Sequence, residues 1–193
     1  MNVAWAAAQA LYLFAPLLAS VALSALVERC DLFARLARPI DAGALLGGRR
    51  LFGDGKTWRG VLVAVIGSVA TVVVQKHVVG ARAGSLAVVD YAGANAVLLG
   101  VAIGGGAMLG ELPNSFVKRR LDIRSGRTAR HPLLRLLFWT WDQIDLMTTA
   151  WPLVAIWTRP TLLLIVTSLA LTLIIHPIIA VVGYLLGARR SAR

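Results

Sequence analysis

Two aspartates three positions apart, Asp142 and Asp145, stand where an apolar run begins. On a helix that spacing puts both carboxylates on one face. At the edge of an apolar segment they need a positive partner to offset the cost of leaving water. A helix N-terminus can supply it. A divalent ion can as well, because magnesium takes one or two carboxylates and completes its shell with water and phosphate oxygens. Upstream, Glu111, Ser115, Lys118 and Asp122 step by four, three and four, so a continuous helix would align two acids, a hydroxyl and a lysine. An amphipathic helix lying on a membrane would carry the same stripe. Pro113 threatens the continuity of such a helix only at its first turn.

A third group is the run Gly53-Asp54-Gly55-Lys56-Thr57. A nucleotide-binding P-loop needs a glycine five positions before Gly55, where Arg50 stands, so the run is not that motif. Glycines that expose backbone N–H groups beside Arg49, Arg50, Lys56 and Arg59 still make an anion cradle. The alternative is a basic anchor that holds the loop on one membrane face. A dinucleotide fingerprint starting at Gly104 fails, because Leu109 occupies its last glycine position and no strand precedes it. The single cysteine, Cys30, has no thiol partner and no metal-ligand spacing. His176 is the one ionisable group deep in an apolar run, which marks it as functional by default. Pro177 beside it offers a structural account, since proline leaves the carbonyl of Leu173 unpaired and an imidazole can satisfy this or another helix.

These groups can act only if the chain brings them together, and the medium in which it does so is a bilayer. Of 193 residues 58% are apolar, and the mean hydropathy is +0.75, well beyond what one soluble core needs. The net charge of +11 could suggest nucleic acid, but the cations lie between apolar runs, which suits lipid headgroups and phosphate substrates and excludes a nucleic-acid surface. The expected fold is an all-α integral membrane protein, a single polytopic domain with about five spans near 3–27, 60–74, 92–109, 144–157 and 161–186. Two polar loops, 28–59 and 110–143, carry seven Lys and Arg each, against two and one in the other connections and three in the tail. The positive-inside rule then places the N-terminus outside, with both large loops and the C-terminus in the cytoplasm. The first span has no basic residue before it and is expected to be retained rather than cleaved. In the third, Gly100 and Gly104, then Gly106 and Gly110, have the spacing that lets helix backbones approach closely.

Taken together, Phe52-Gly53-Asp54-Gly55-Lys56-Thr57-Trp58-Arg59-Gly60, Gly110-Glu111-Leu112-Pro113-Asn114-Ser115-Phe116-Val117-Lys118-Arg119-Arg120-Leu121 and Asp142-Gln143-Ile144-Asp145 resemble the CDP-archaeol synthases, distant relatives of the phosphatidate cytidylyltransferases. The resemblance implies transfer of CMP from CTP to a membrane lipid phosphate, with release of pyrophosphate and with magnesium as cofactor. It implies Glu111, Asp142 and Asp145 as metal ligands and Lys56, Lys118, Arg119, Asp142 and Asp145 as catalytic. Gly55, Thr57, Arg59, Asn114, Ser115 and Arg120 are then substrate-binding. Glu111 stands where many relatives have aspartate. The residues suit this chemistry by themselves, because the lipid phosphate is the nucleophile and the protein need only align two anions and neutralise charge. The rival readings are a small-anion transporter, which needs charges or broken helices near the midplane, and a non-catalytic membrane scaffold. A CDP-alcohol phosphotransferase is excluded, because Leu146 and Met147 follow Asp145 where that class has Gly. The chains of the acceptor lipid are not encoded in any motif, because apolar contact is non-directional.

Overall fold

The computed structural model describes residues 2–79, 84–91 and 93–185. Five long helices carry it: α1 (Val3–Arg29), α2 (Trp58–Val74), α3 (Ala96–Arg120), α4 (Pro132–Val154) and α5 (Leu162–Leu185). Long apolar runs take this form because a helix satisfies its backbone groups internally, which lipid cannot do for them. Polar side chains start three of the helices: Asn2 accepts from the Trp5 N–H, Thr57 from that of Gly60, and Asn95 from those of Val97 and Leu98. Among the described residues, four helical segments are long and apolar enough to cross a membrane: Val3–Arg29, Trp58–His77, Ala96–Arg120 and Leu162–Ile179. The chain is a multi-pass membrane protein.

α3 packs between α2 and α4, and its two glycine pairs explain how closely. A Cβ at Gly100 would meet the Val69 backbone and one at Gly104 the Ala64 carbonyl, both on α2. On the other face, a Cβ at Gly106 would lie 3.1 Å from the Ala150 Cα, and one at Gly110 would fall on the Asp145 carbonyl, both on α4. The spacing thus serves two interfaces at once. α1 closes against α2 and α5, and Pro16 lies within it. Proline has no N–H for the carbonyl four residues back, and that carbonyl, on Tyr12, accepts instead from the Gln75 amide at 2.6 Å. The broken ladder is satisfied across the bundle.

Several expected boundaries change. The stretch 110–143 is not a loop: α3 runs on through Pro113 to Arg120, and α4 begins at Pro132, leaving only 121–131 as a connection. The helix does not break at Pro113, because a proline costs one internal hydrogen bond that surrounding packing can repay. Its last turn gains from Lys118, Arg119 and Arg120 facing the negative end of the dipole. Asp122 does not share the face of Glu111, since the helix has ended and Asp122 has a left-handed φ of 57°. The expected span 144–157 begins within α4 and runs three residues past its end, and α4 is not among the four long apolar helices. Two short strands, Leu45–Leu46 and Arg49–Arg50, add a small hairpin to an otherwise helical chain. Arg82, Ala92 at the expected start of the third span, and the tail from Leu186 through Arg189, Arg190 and Arg193 lie outside the described residues.

Candidate active site

The first polar loop is organised by a residue the motifs did not single out, Asp41. Its side chain is fully buried. It accepts from the backbone N–H groups of Gly43, Phe52 and Gly53 at 3.1, 3.0 and 3.0 Å and from the Arg50 guanidinium at 2.6 Å. Burial by itself would raise this carboxyl, but Arg50 and the three N–H donors outweigh it and hold the group well below the usual carboxylate range. The loop is fastened to the end of α3 by two arginines. Arg120 donates to the carbonyls of Leu46, Arg49 and Arg50. Arg49 reaches the carbonyl of Arg120 and, at 2.6 Å, the carboxylate of Asp122. Gly53 has a φ of 87°, and a Cβ there would lie 2.7 Å from the Ser125 hydroxyl, so this turn tolerates only glycine. Backbone hydrogen bonds from Ile40 to Lys56 and from Trp58 to Arg38 complete the fold of the loop and deliver Gly55 and Lys56 to the bundle.

There Lys56 pairs with Glu111 of α3. One helical turn on, Asn114 is 2% exposed and its amide nitrogen donates to both aspartates of α4, to Asp142 at 2.6 Å and to Asp145 at 2.8 Å. Lys118, a further turn on, bonds Asp142 and lies 5.4 Å from the centroid of the Phe138 ring. The close approach of Gly110 to the Asp145 carbonyl makes these contacts possible. Asp145 is 4% exposed. One of its carboxylate oxygens and the side-chain oxygen of Asn114 are buried with no hydrogen-bond partner among the described residues.

Two cavities meet at this cluster. The polar one, about 230 Å³, is lined among the described residues by Lys56, Lys118, Arg119, Arg124 and Arg127 against two carboxylates, Asp142 and Asp145, with Asn114, Ser115 and Ser125 between them. The other, about 330 Å³, lies among α1, α2, α3, α4 and α5, with Phe14, Leu17, Val61, Met108, Leu171 and Ile175 on its walls. Its charged lining is Glu28, Lys56 and Glu111. Gly55 and Lys56 line both cavities. Such an arrangement suits one polyanionic ligand and one apolar ligand whose heads meet at Lys56.

The structure gathers Gly55, Lys56, Glu111, Asn114, Ser115, Lys118, Arg119, Asp142 and Asp145 in one region. Thr57 caps α2 and lines the apolar cavity. Arg59 and Arg120 line neither: Arg59 pairs with Asp31 at 3.0 Å, and Arg120 is engaged with the hairpin carbonyls and lies 4.9 Å from the Phe116 ring. His176 is on the wall of the apolar cavity. Arg124 and Arg127 line the polar cavity although no motif marked them; their only sequence signal is a pair of arginines flanking Ser125 and Gly126. Among the described residues, no three His, Cys, Asp or Glu side chains are placed to hold a metal ion by themselves. Asp142 and Asp145 nonetheless fit a magnesium ion. They converge on one atom and leave a buried carboxylate oxygen unpartnered, and magnesium needs only one or two carboxylates when phosphate oxygens supply the rest.

A profile of the CarS-like CDP-archaeol synthase family matches residues 10–191. The chain belongs to the CDP-archaeol synthase family. The CDP-archaeol synthase of Halobacterium salinarum is 38% identical over 158 residues, which cover 79% of this chain and 81% of that protein. That of Aeropyrum pernix is 35% identical over 155 residues, covering 79% and 77%. A solved structure of an intramembrane enzyme for archaeal membrane lipids biosynthesis is 31% identical, with a TM-score of 0.59 over 86% of this chain and 89% of that one. The resemblance carried by the three motifs is therefore a family membership. Like the rest of the CDP-archaeol synthase family, the chain is a membrane-embedded CTP-dependent cytidylyltransferase of lipid biosynthesis.

Proposed function

We propose that the protein transfers CMP from CTP to the phosphate of an unsaturated archaetidic acid-type diether lipid, giving a CDP-lipid and pyrophosphate. The observation that carries this reading is the junction of a cationic cavity and an apolar cavity at Lys56. The triphosphate occupies the polar cavity, where Lys118, Arg119, Arg124 and Arg127 neutralise it, and the lipid chains occupy the apolar one. A lipid phosphate oxygen attacks the α-phosphorus of CTP. The new P–O bond forms as the bond from that phosphorus to the bridging oxygen of the β-phosphate breaks, and pyrophosphate leaves. No side-chain nucleophile is required. The cations hold the two anions in line and stabilise the charge that shifts to the leaving group.

Asp142 and Asp145, with Glu111 adjacent, would hold the magnesium ion, which when bound neutralises triphosphate oxygens. Asn114 orders the two aspartates, and Ser115 and the N–H groups near Gly55 offer hydrogen bonds to phosphate. In this reading Arg59 and Arg120 act through the loop: they fix the segment that presents Lys56. The site faces the cytoplasm of the cell membrane, where CTP is available, with the N-terminus outside. The seven basic residues in each polar stretch support that orientation. The test is to incubate purified protein with CTP, magnesium and a panel of lipid phosphates, ether-linked isoprenoid and ester-linked diacyl, and to detect CDP-lipid. Product from the diether is expected; no CDP-lipid from any acceptor would overturn the reading.

A further inference from the structure

Lys56 occupies the place where the two cavities meet, and its ammonium is held by Glu111, whose own side chain lines the apolar cavity only. An apolar cavity cannot choose among lipids by their chains, since apolar contact is non-directional. Bulk membrane lipids carry a phosphate on the same kinds of chain. A bare lysine at the end of this cavity would therefore hold whichever phosphate arrived. The structure instead gives Lys56 an internal anion, and that anion has a second place to go. Gly110 is packed so tightly on the Asp145 carbonyl that no Cβ fits, and the charge of the next residue, Glu111, acts on the Asp145 carboxyl of the polar cavity.

We propose that Glu111 is a displaceable counter-ion of Lys56 that couples the filling of the two cavities. While paired, it screens Lys56 against phosphates arriving from the membrane. When the nucleotide fills the polar cavity with a divalent cation beside it, the Glu111 carboxylate turns toward that cation and releases Lys56 to the acceptor phosphate. The exchange leaves neither charge without a counter-charge, which is the condition for moving buried ions at modest cost. The inference rests on the two-cavity reading of the substrates. Glu111 is here a positioning residue for Lys56. By linkage, nucleotide raises the affinity for lipid phosphate by the same factor as lipid phosphate raises that for nucleotide. One charge-assisted hydrogen bond released in this way corresponds to about tenfold or more in affinity.

The experiment measures binding of a radiolabelled diether phosphomonoester to the full chain in detergent micelles. It is done with and without magnesium and a CTP analogue whose α and β phosphates are joined by a methylene. The wild type should bind the lipid about tenfold more tightly with nucleotide than without. Glu111→Gln, of the same shape, should bind it nearly as tightly without nucleotide, and its turnover should be inhibited by a phosphodiester lipid with the same chains. Equal coupling in wild type and Glu111→Gln would overturn the proposal, as would absence of coupling in the wild type, which requires no variant to fold. Either result leaves the two-cavity reading standing if Lys56→Ala weakens lipid binding. If the wild type binds no lipid phosphate under either condition, both fail.

Discussion

Replacing Asn114 by alanine removes a group that holds both aspartates and, among the described residues, bonds no other side chain through its amide nitrogen. A hydrogen bond to a charged partner is worth about 1.5 to 3 kcal/mol. The bond to Asp145 counts in full, because that residue is 4% exposed and its other oxygen has no partner among the described residues. The bond to Asp142 counts for less, because that side chain is 44% exposed and keeps Lys118. Together they come to about 2 to 4 kcal/mol, or roughly thirtyfold to a thousandfold if the whole loss appears in the transition state. The assay is CTP turnover with a diether lipid phosphate across a magnesium titration. Asn114→Ala should need more magnesium for half-maximal rate, because two carboxylates no longer held together bind the ion less well. A variant within about threefold of wild type with an unchanged magnesium dependence would refute the idea that Asn114 orders these carboxylates.

Lys56→Ala and Lys118→Ala should each lower turnover by about tenfold to a hundredfold, and the double variant should fall short of the product of the two effects because the two anions the lysines hold must be aligned in one transition state; strict additivity, measured by CTP turnover, would separate them. Asp41→Asn should loosen the first loop and lower the melting temperature in a pH-dependent way. The native Asp41 carboxyl lies below its unfolded value of about 3.9, so its stabilisation is complete above that value and is lost as pH falls through the native one. The difference in melting between wild type and variant should be full at neutral pH and shrink progressively below about pH 5. A cysteine at the exposed Ser125, in a Cys30→Ser background, should be labelled by an impermeant reagent only after the cytoplasmic face is opened; labelling from outside intact cells would reverse the orientation.

The helical class and the approximate positions of α1, α2 and α5 were legible in the sequence, because a bilayer leaves a long apolar run no other way to satisfy its backbone, whereas the polar end of α3 and the polar start of α4 read as loop. The two glycine pairs of α3 were legible too, since their four-residue spacing lies on the chain itself. Local spacing also put Glu111, Ser115 and Lys118 on one helix face, wrongly adding Asp122 beyond the helix end, and Asp142 and Asp145 on another. What no local pattern carries is which face meets which. That Lys56 pairs with Glu111, that Asn114 stands between two aspartates of the next helix, and that Arg120 donates to the carbonyls of the hairpin follow from how α3 seats against α4 and how Asp41 folds the first loop. These are contacts between residues about 30 to 80 positions apart in the chain. A lysine or arginine takes whichever acceptors the packed helices bring within reach. The residue types able to do the chemistry were therefore set by the sequence, while the meeting of the cationic and apolar cavities at Lys56 was decided by tertiary packing.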